Sequence, residues 1–93
     1  MKFVSNAKYD DPVGSGTEFT VTVNGIKITI HRIIHLEGWY LSCYDLRIDR
    51  QELKSETIRG AIEESKGVLD VAIARLVKAV EIFSNEPVEI LRR

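Results

Sequence analysis

Thiol chemistry is nearly absent from this chain. Cys43 is the only cysteine in 93 residues, which excludes an internal disulfide framework and a zinc site built from several thiolates. A reducing cytoplasm is the expected setting, in a bacterial host cell if the chain is phage-encoded. Histidine is almost as scarce, with His31 and His35 alone. No apolar run approaches the roughly 20 residues that cross a bilayer. No apolar segment of secretion-signal length follows Met1-Lys2-Phe3-Val4, and no prenylation cysteine stands at the C-terminus. A membrane partner is therefore not expected. No sign of charge dominates either: 13 Lys and Arg against 14 Asp and Glu leave a net charge of −1, so no global field draws in nucleic acid or an anionic surface. Phosphate-binding loops, nucleophile elbows and zinc-protease helices are all missing. The expectation is a protein that is no enzyme and carries no cofactor and no metal.

What is present suits a folded domain, with 44% hydrophobic and 29% charged residues. The length allows one core. We expect a single domain over residues 1–93, divided into an N-terminal loop region at 1–16, an antiparallel sheet at 17–44, a helix at 55–84 and a tail at 85–93. Tyr9-Asp10-Asp11-Pro12-Val13-Gly14-Ser15-Gly16 breaks any period and reads as loop. Lys2-Phe3-Val4 before it is a candidate edge strand.

The clearest pattern is the alternation of Phe19, Val21 and Val23 with Glu18, Thr20 and Thr22. It is followed by Asn24-Gly25 and then by Ile26, Ile28 and Ile30 alternating with Lys27 and Thr29. Asn-Gly accepts the positive φ angles of a two-residue type I′ turn, which fixes a hairpin register of Val23 opposite Ile26, Val21 opposite Ile28 and Phe19 opposite Ile30. Six apolar side chains then share one face. The other face pairs Thr22 with Lys27, Thr20 with Thr29 and Glu18 with His31. After a turn at His35-Leu36-Glu37-Gly38, the strand Trp39-Tyr40-Leu41-Ser42-Cys43-Tyr44 adds Trp39, Leu41 and Cys43 to the apolar face. Tyr40 and Tyr44 join the threonine-rich face. A stretch with Leu46, Ile48 and Leu53 reads as an irregular connection.

Ser55 is the expected N-cap of a long helix, with Glu56 in its first turn. Ile58, Ile62, Leu69, Ile73, Leu76, Val80 and Phe83 recur at three- and four-residue steps, and Pro87 stops the helix near Ser84. From Glu56 to Ser84 such a helix is roughly 43 Å long, whereas seven-residue strands span about 23 Å. The sheet therefore leaves part of it uncovered. Val68, Val71 and Ile82 form a second apolar flank beside Arg75. Three outcomes stay open: a break at Gly67 that folds the helix back, a tail that covers the flank, or a second chain. A homodimer through Val68, Val71, Arg75 and Ile82 is the expectation.

The fold class expected is α+β: an antiparallel sheet of three strands, with room for a fourth, packed by one face on a long C-terminal helix. Its core is expected from Phe19, Val21, Val23, Ile26, Ile28, Ile30, Trp39, Leu41, Ile62, Leu69, Leu76 and Val80. Cys43 belongs with that core as an inert thiol. His31 and His35 are four apart on extended chain, where they span about 13 Å and make a poor metal pair. His31 is expected to pair with Glu18, and His35 to cap a turn. The contact surface expected is the open sheet face around Tyr40, Tyr44, Lys27 and Glu18, because tyrosines supply large contact area at low entropic cost.

The Asn24-Gly25 hairpin, the Trp39 to Cys43 strand and the alanine-rich helix from Ser55 to Ser84 give the chain a layout that resembles small phage and mobile-element proteins of the anti-CRISPR type. That resemblance is one of size and layout, and no residue role follows from it. It implies a class of action: stoichiometric inhibition of, or adaptor binding to, a larger protein or ribonucleoprotein complex. Direct nucleic-acid binding and a structural homodimer subunit without an outside ligand are the competing classes, the former disfavoured by the sparse basic residues near Tyr40 and Tyr44.

Overall fold

The computed structural model describes residues 1–7 and 16–92. Of the loop expected over Tyr9 to Gly16, all but Gly16 lies outside the described residues. Among the described residues, five strands and one α-helix make up the α+β fold: β1 (Val4–Ser5), β2 (Glu18–Val23), β3 (Ile26–His31), β4 (Trp39–Cys43), β5 (Ile48–Leu53) and α1 (Ile58–Asn85). The strands form a single antiparallel sheet in chain order.

The hairpin β2–β3 has the register that its alternation predicts, with Phe19 opposite Ile30, Val21 opposite Ile28 and Val23 opposite Ile26. Asn24 and Gly25 both have positive φ, 50° and 80°, as a type I′ turn requires. Lys2-Phe3-Val4 contributes only Val4 to the edge strand β1, which pairs with β2 through Val4 opposite Thr20 and Ser5 opposite Phe19. Asn6 anchors that edge. Its Oδ1 accepts from the backbone N–H of Thr17 (2.8 Å) and Glu18 (3.0 Å).

The main departure is β5. The segment read as an irregular connection is a six-residue strand that pairs with β4, Trp39 opposite Leu53 and Leu41 opposite Gln51. Its charges hid it, because Asp49, Arg50, Gln51 and Glu52 are all exposed and only Leu53 is buried. A register shift between Leu41 and Cys43 marks a bulge, with Arg50 at φ 51°. With β3 on one side and β5 on the other, β4 is an interior strand and all five of its residues are buried.

Phe19, Ile30, Trp39, Leu41, Leu53 and Ala61 form the core, with Phe3, Ile28, Ile48, Ile58, Ile62, Val68 and Leu69 packed around it. Phe19 meets Trp39 edge to face at 5.8 Å between ring centroids, a favoured geometry for aromatic quadrupoles. The Arg32 guanidinium lies 4.0 Å from the Trp39 ring centroid, and the indole N–H donates to the Glu56 carbonyl at 3.2 Å. Cys43 is a buried free thiol. Of the expected core, Val21 is buried beside this cluster, Ile26 is half-buried and does not pack on it, and Val23 at the hairpin tip and Leu76 and Val80 on α1 are each 44% exposed or more.

The helix begins two residues later than expected. Thr57, not Ser55, is the N-cap, its hydroxyl accepting from Gly60 N–H at 3.1 Å. Glu64 reaches back to accept from the N–H groups of Lys54 and Ser55 at 2.7–2.9 Å, which holds the approach to the helix. From Ile58 to Asn85 the helix is continuous, so the break at Gly67 does not occur. Residues 86–92 are all exposed and do not cover the flank. No helix among the described residues is long and apolar enough to cross a membrane.

Candidate binding face

Opposite the helix, the sheet presents its threonine-rich face. Glu18, Lys27, Thr29, His31, Ser42, Tyr44 and Asp45 line a shallow hollow of about 370 Å³ there. Strand alternation explains the membership: Glu18 on β2, Lys27, Thr29 and His31 on β3, and Ser42 on β4 all point to the face away from the core. Tyr44 and Asp45 come from a 3₁₀ turn over Tyr44–Leu46 that follows β4.

The floor of the hollow is a closed hydrogen-bonded chain. His31 Nδ1 lies 3.0 Å from the Arg32 carbonyl and Nε2 lies 2.8 Å from Ser42 Oγ. A carbonyl can only accept, so Nδ1 carries the proton, and in the neutral ring Nε2 accepts from the Ser42 hydroxyl. The same Ser42 oxygen accepts from Arg50 N–H at 3.1 Å. That N–H sits at the bulge, where one strand carries an extra residue and ladder pairing lapses. Ser42 thus fills a vacancy that the backbone creates, and with 6% exposure its hydroxyl is fully engaged. Thr20 and Thr29 hydroxyls pair at 3.2 Å beside it. His31 stands opposite Glu18 in the register, but its ring bonds to Ser42 instead of pairing with that carboxylate.

The structure brings together three of the four residues expected on the contact surface. Lys27 and Glu18 line the hollow, and Tyr44 is 74% exposed at its rim. Tyr40 differs. It is 9% exposed, lies opposite His31 on β3 and Glu52 on β5, and its hydroxyl donates to the Glu37 carbonyl at 3.1 Å. The physical reason is β5: a tyrosine on an edge strand stays open, whereas one on an interior strand is flanked on both sides. Thr29, His31 and Ser42 also line the hollow; alternation puts all three on this face, although the expected contact surface did not include them. Asp45 depends on the turn and was missed.

Val68, Val71 and Arg75, expected at a dimer interface, gather in a second groove of about 480 Å³ between α1 and the start of β5, together with Arg47, Asp49 and Ala72. Ile82, the fourth residue of that set, is 49% exposed and is not part of this groove. His35 is exposed in a turn at φ 68°, and no group of three or more metal-ligating side chains forms among the described residues. In comparisons with known families, curated proteins and solved structures, the chain matches no family model, no curated protein and no solved structure.

Proposed function

We propose that the chain is a small non-catalytic binding protein that acts by stoichiometric contact with a larger protein or ribonucleoprotein complex, as an inhibitor or adaptor of the kind phages and mobile elements encode against CRISPR systems. One observation carries this reading. The polar groups on the floor of the hollow satisfy each other, while Tyr44, Lys27, Glu18 and Asp45 stand around it with side chains that make no hydrogen bond or ion pair among the described residues. An exposed tyrosine among charges of both signs is the composition of a protein-binding hot spot with a polar rim. Two carboxylates against one lysine suit a basic or mixed protein surface better than a phosphate backbone, so direct nucleic-acid binding is the weaker class. Cytoplasmic residence accords with this reading, as does a homodimer that would present two such faces.

The test is affinity capture from a bacterial lysate containing mobile-element defences, with wild type beside a Tyr44→Ala, Lys27→Glu double variant. The expected result is a defence ribonucleoprotein recovered with wild type and depleted at least about tenfold with the variant, the loss of one hot-spot contact. Equal recovery with both proteins would sink the sheet-face site. Recovery of the chain alone would move the assignment to a structural subunit, and capture of nucleic acid that falls steeply with salt would move it to direct nucleic-acid binding.

A further inference from the structure

The apolar stripe of α1 does not end where the sheet ends. Ala61 and Ser65 are buried under β3, β4 and β5, with Ile58, Ile62, Val68 and Leu69 half-buried around them. Beyond Ala72 the same stripe continues bare: Ile73, Leu76, Val77, Val80 and Phe83 are 46–88% exposed. The molecule is correspondingly drawn out, 61 × 28 × 22 Å, with a radius of gyration of 17.3 Å where a compact chain of this length has about 12 Å. Its accessible surface is 7990 Å², against roughly 5,500 Å² for a compact monomer of this mass.

Leu69, Ile73, Leu76, Val80 and Phe83 follow one another by steps of four, three, four and three, the spacing of a coiled-coil seam, with β-branched residues at one core position and leucine or phenylalanine at the other. The five bare side chains of this stripe expose on the order of 500 Å² of apolar surface. That lies at the upper end of the largest patch usual on a monomer and is about the apolar share of the ~800 Å² per partner of a standard homodimer interface.

We propose that this projecting half of α1 is one side of a homodimer, in which a second copy of the chain packs its own projecting half antiparallel against it. The inference rests on the homodimer named above, moves its seam from Val68, Val71, Arg75 and Ile82 to the stripe from Leu69 to Phe83, and adds a direction. Direction follows from sterics. The sheet covers the same face of α1 that carries the seam, so a parallel partner helix would have to run through the sheet. An antiparallel partner ends against it instead, and its own sheet lies beyond the far end of the first helix. In that arrangement Ile73 meets the partner copy's Phe83 and Leu76 its Val80, in four symmetric layers. Val77 and Ala79 flank the centre, where small and apolar residues permit close approach, and no like charges meet across it. Val71 and Arg75 stay outside the seam, in the groove against β5.

The full chain is examined by sedimentation as wild type, as a Leu76→Asp, Val80→Asp double variant, and as Val71→Glu. Leu76 and Val80 touch no part of the buried core, so the double variant keeps its fold, which circular dichroism verifies. The expected result is a wild-type dimer at micromolar concentration, a dissociation constant raised at least about 30-fold in the double variant, and little change in Val71→Glu. Direction is read by mild oxidation. Phe83→Cys alone should form no disulfide, because its two copies lie about 15 Å apart along an antiparallel pair, whereas Phe83→Cys mixed with Ile73→Cys should form one. A wild-type monomer at high micromolar concentration would overturn the homodimer itself. A dimer broken by Val71→Glu and not by the double variant would keep the homodimer and overturn this seam. Self-crosslinking of Phe83→Cys would overturn the antiparallel direction.

Discussion

From Ile58 to Ala72 the apolar stripe of α1 lies against the sheet, with Ala61 fully covered. From Ile73 to Phe83 the same stripe bears larger side chains, and none of them is buried. Both halves have the same periodicity and belong to one uninterrupted helix. The difference teaches that a helical period tells which side of a helix is apolar but not what covers it. Coverage is settled by the width of the sheet, which stops after about four turns of α1, and what lies beyond is surface for association.

The comparison breaks most visibly if the two halves respond alike to loss of a leucine. Leu41→Ala, in the fully buried core under the packed half, should cost about 3 kcal/mol of unfolding free energy, within the range for leucine truncation in a tight core. Leu76→Ala, in the bare half, should cost less than about 0.5 kcal/mol at low protein concentration. Urea unfolding of both variants in dilute solution checks this, and equal losses would mean that the projecting half is buried within the monomer. A smaller effect tests how the packed half starts. Thr57→Ala removes the cap hydroxyl that accepts from Gly60 N–H and should lose about 1 kcal/mol, whereas Ser55→Ala should lose clearly less. The reverse order would restore Ser55 as the cap. The smallest effect lies at the boundary between the halves. Gly67 is helical and exposed, and a Cβ there would meet nothing within 4 Å. Gly67→Ala should therefore raise stability, by up to about 1 kcal/mol. A loss on calorimetry would show that the helix needs flexibility at that point.

Much of the fold was legible in the residues because its signals are local. Asn24-Gly25 between two alternating runs specifies turn type, register and buried face together, and β2–β3 follows it pair by pair. The α1 stripe and its stop at Pro87 are equally local. The binding face was only partly legible: Lys27, Glu18 and Tyr44 share the hollow as alternation and turn place them, but Tyr40 does not stand among them.

Tertiary structure decided three things. Charged β5 pairs with β4, because backbone hydrogen bonds hold a strand at a sheet edge whatever its side chains, and that pairing makes β4 interior and covers Tyr40. The bulge opposite Ser42 directs its hydroxyl to Arg50 N–H and turns His31 away from Glu18. Gly67 bends nothing, because a single exposed glycine costs at most about 1 kcal/mol and the hydrogen bonds on either side of it outweigh that. Sequence alone determined the period, the turn and the apolar faces, since each depends on neighbours within a few residues. Which strand is interior, which tyrosine is exposed and how far the sheet reaches along the helix depend on contacts distant in the chain, and only the assembled fold supplies them.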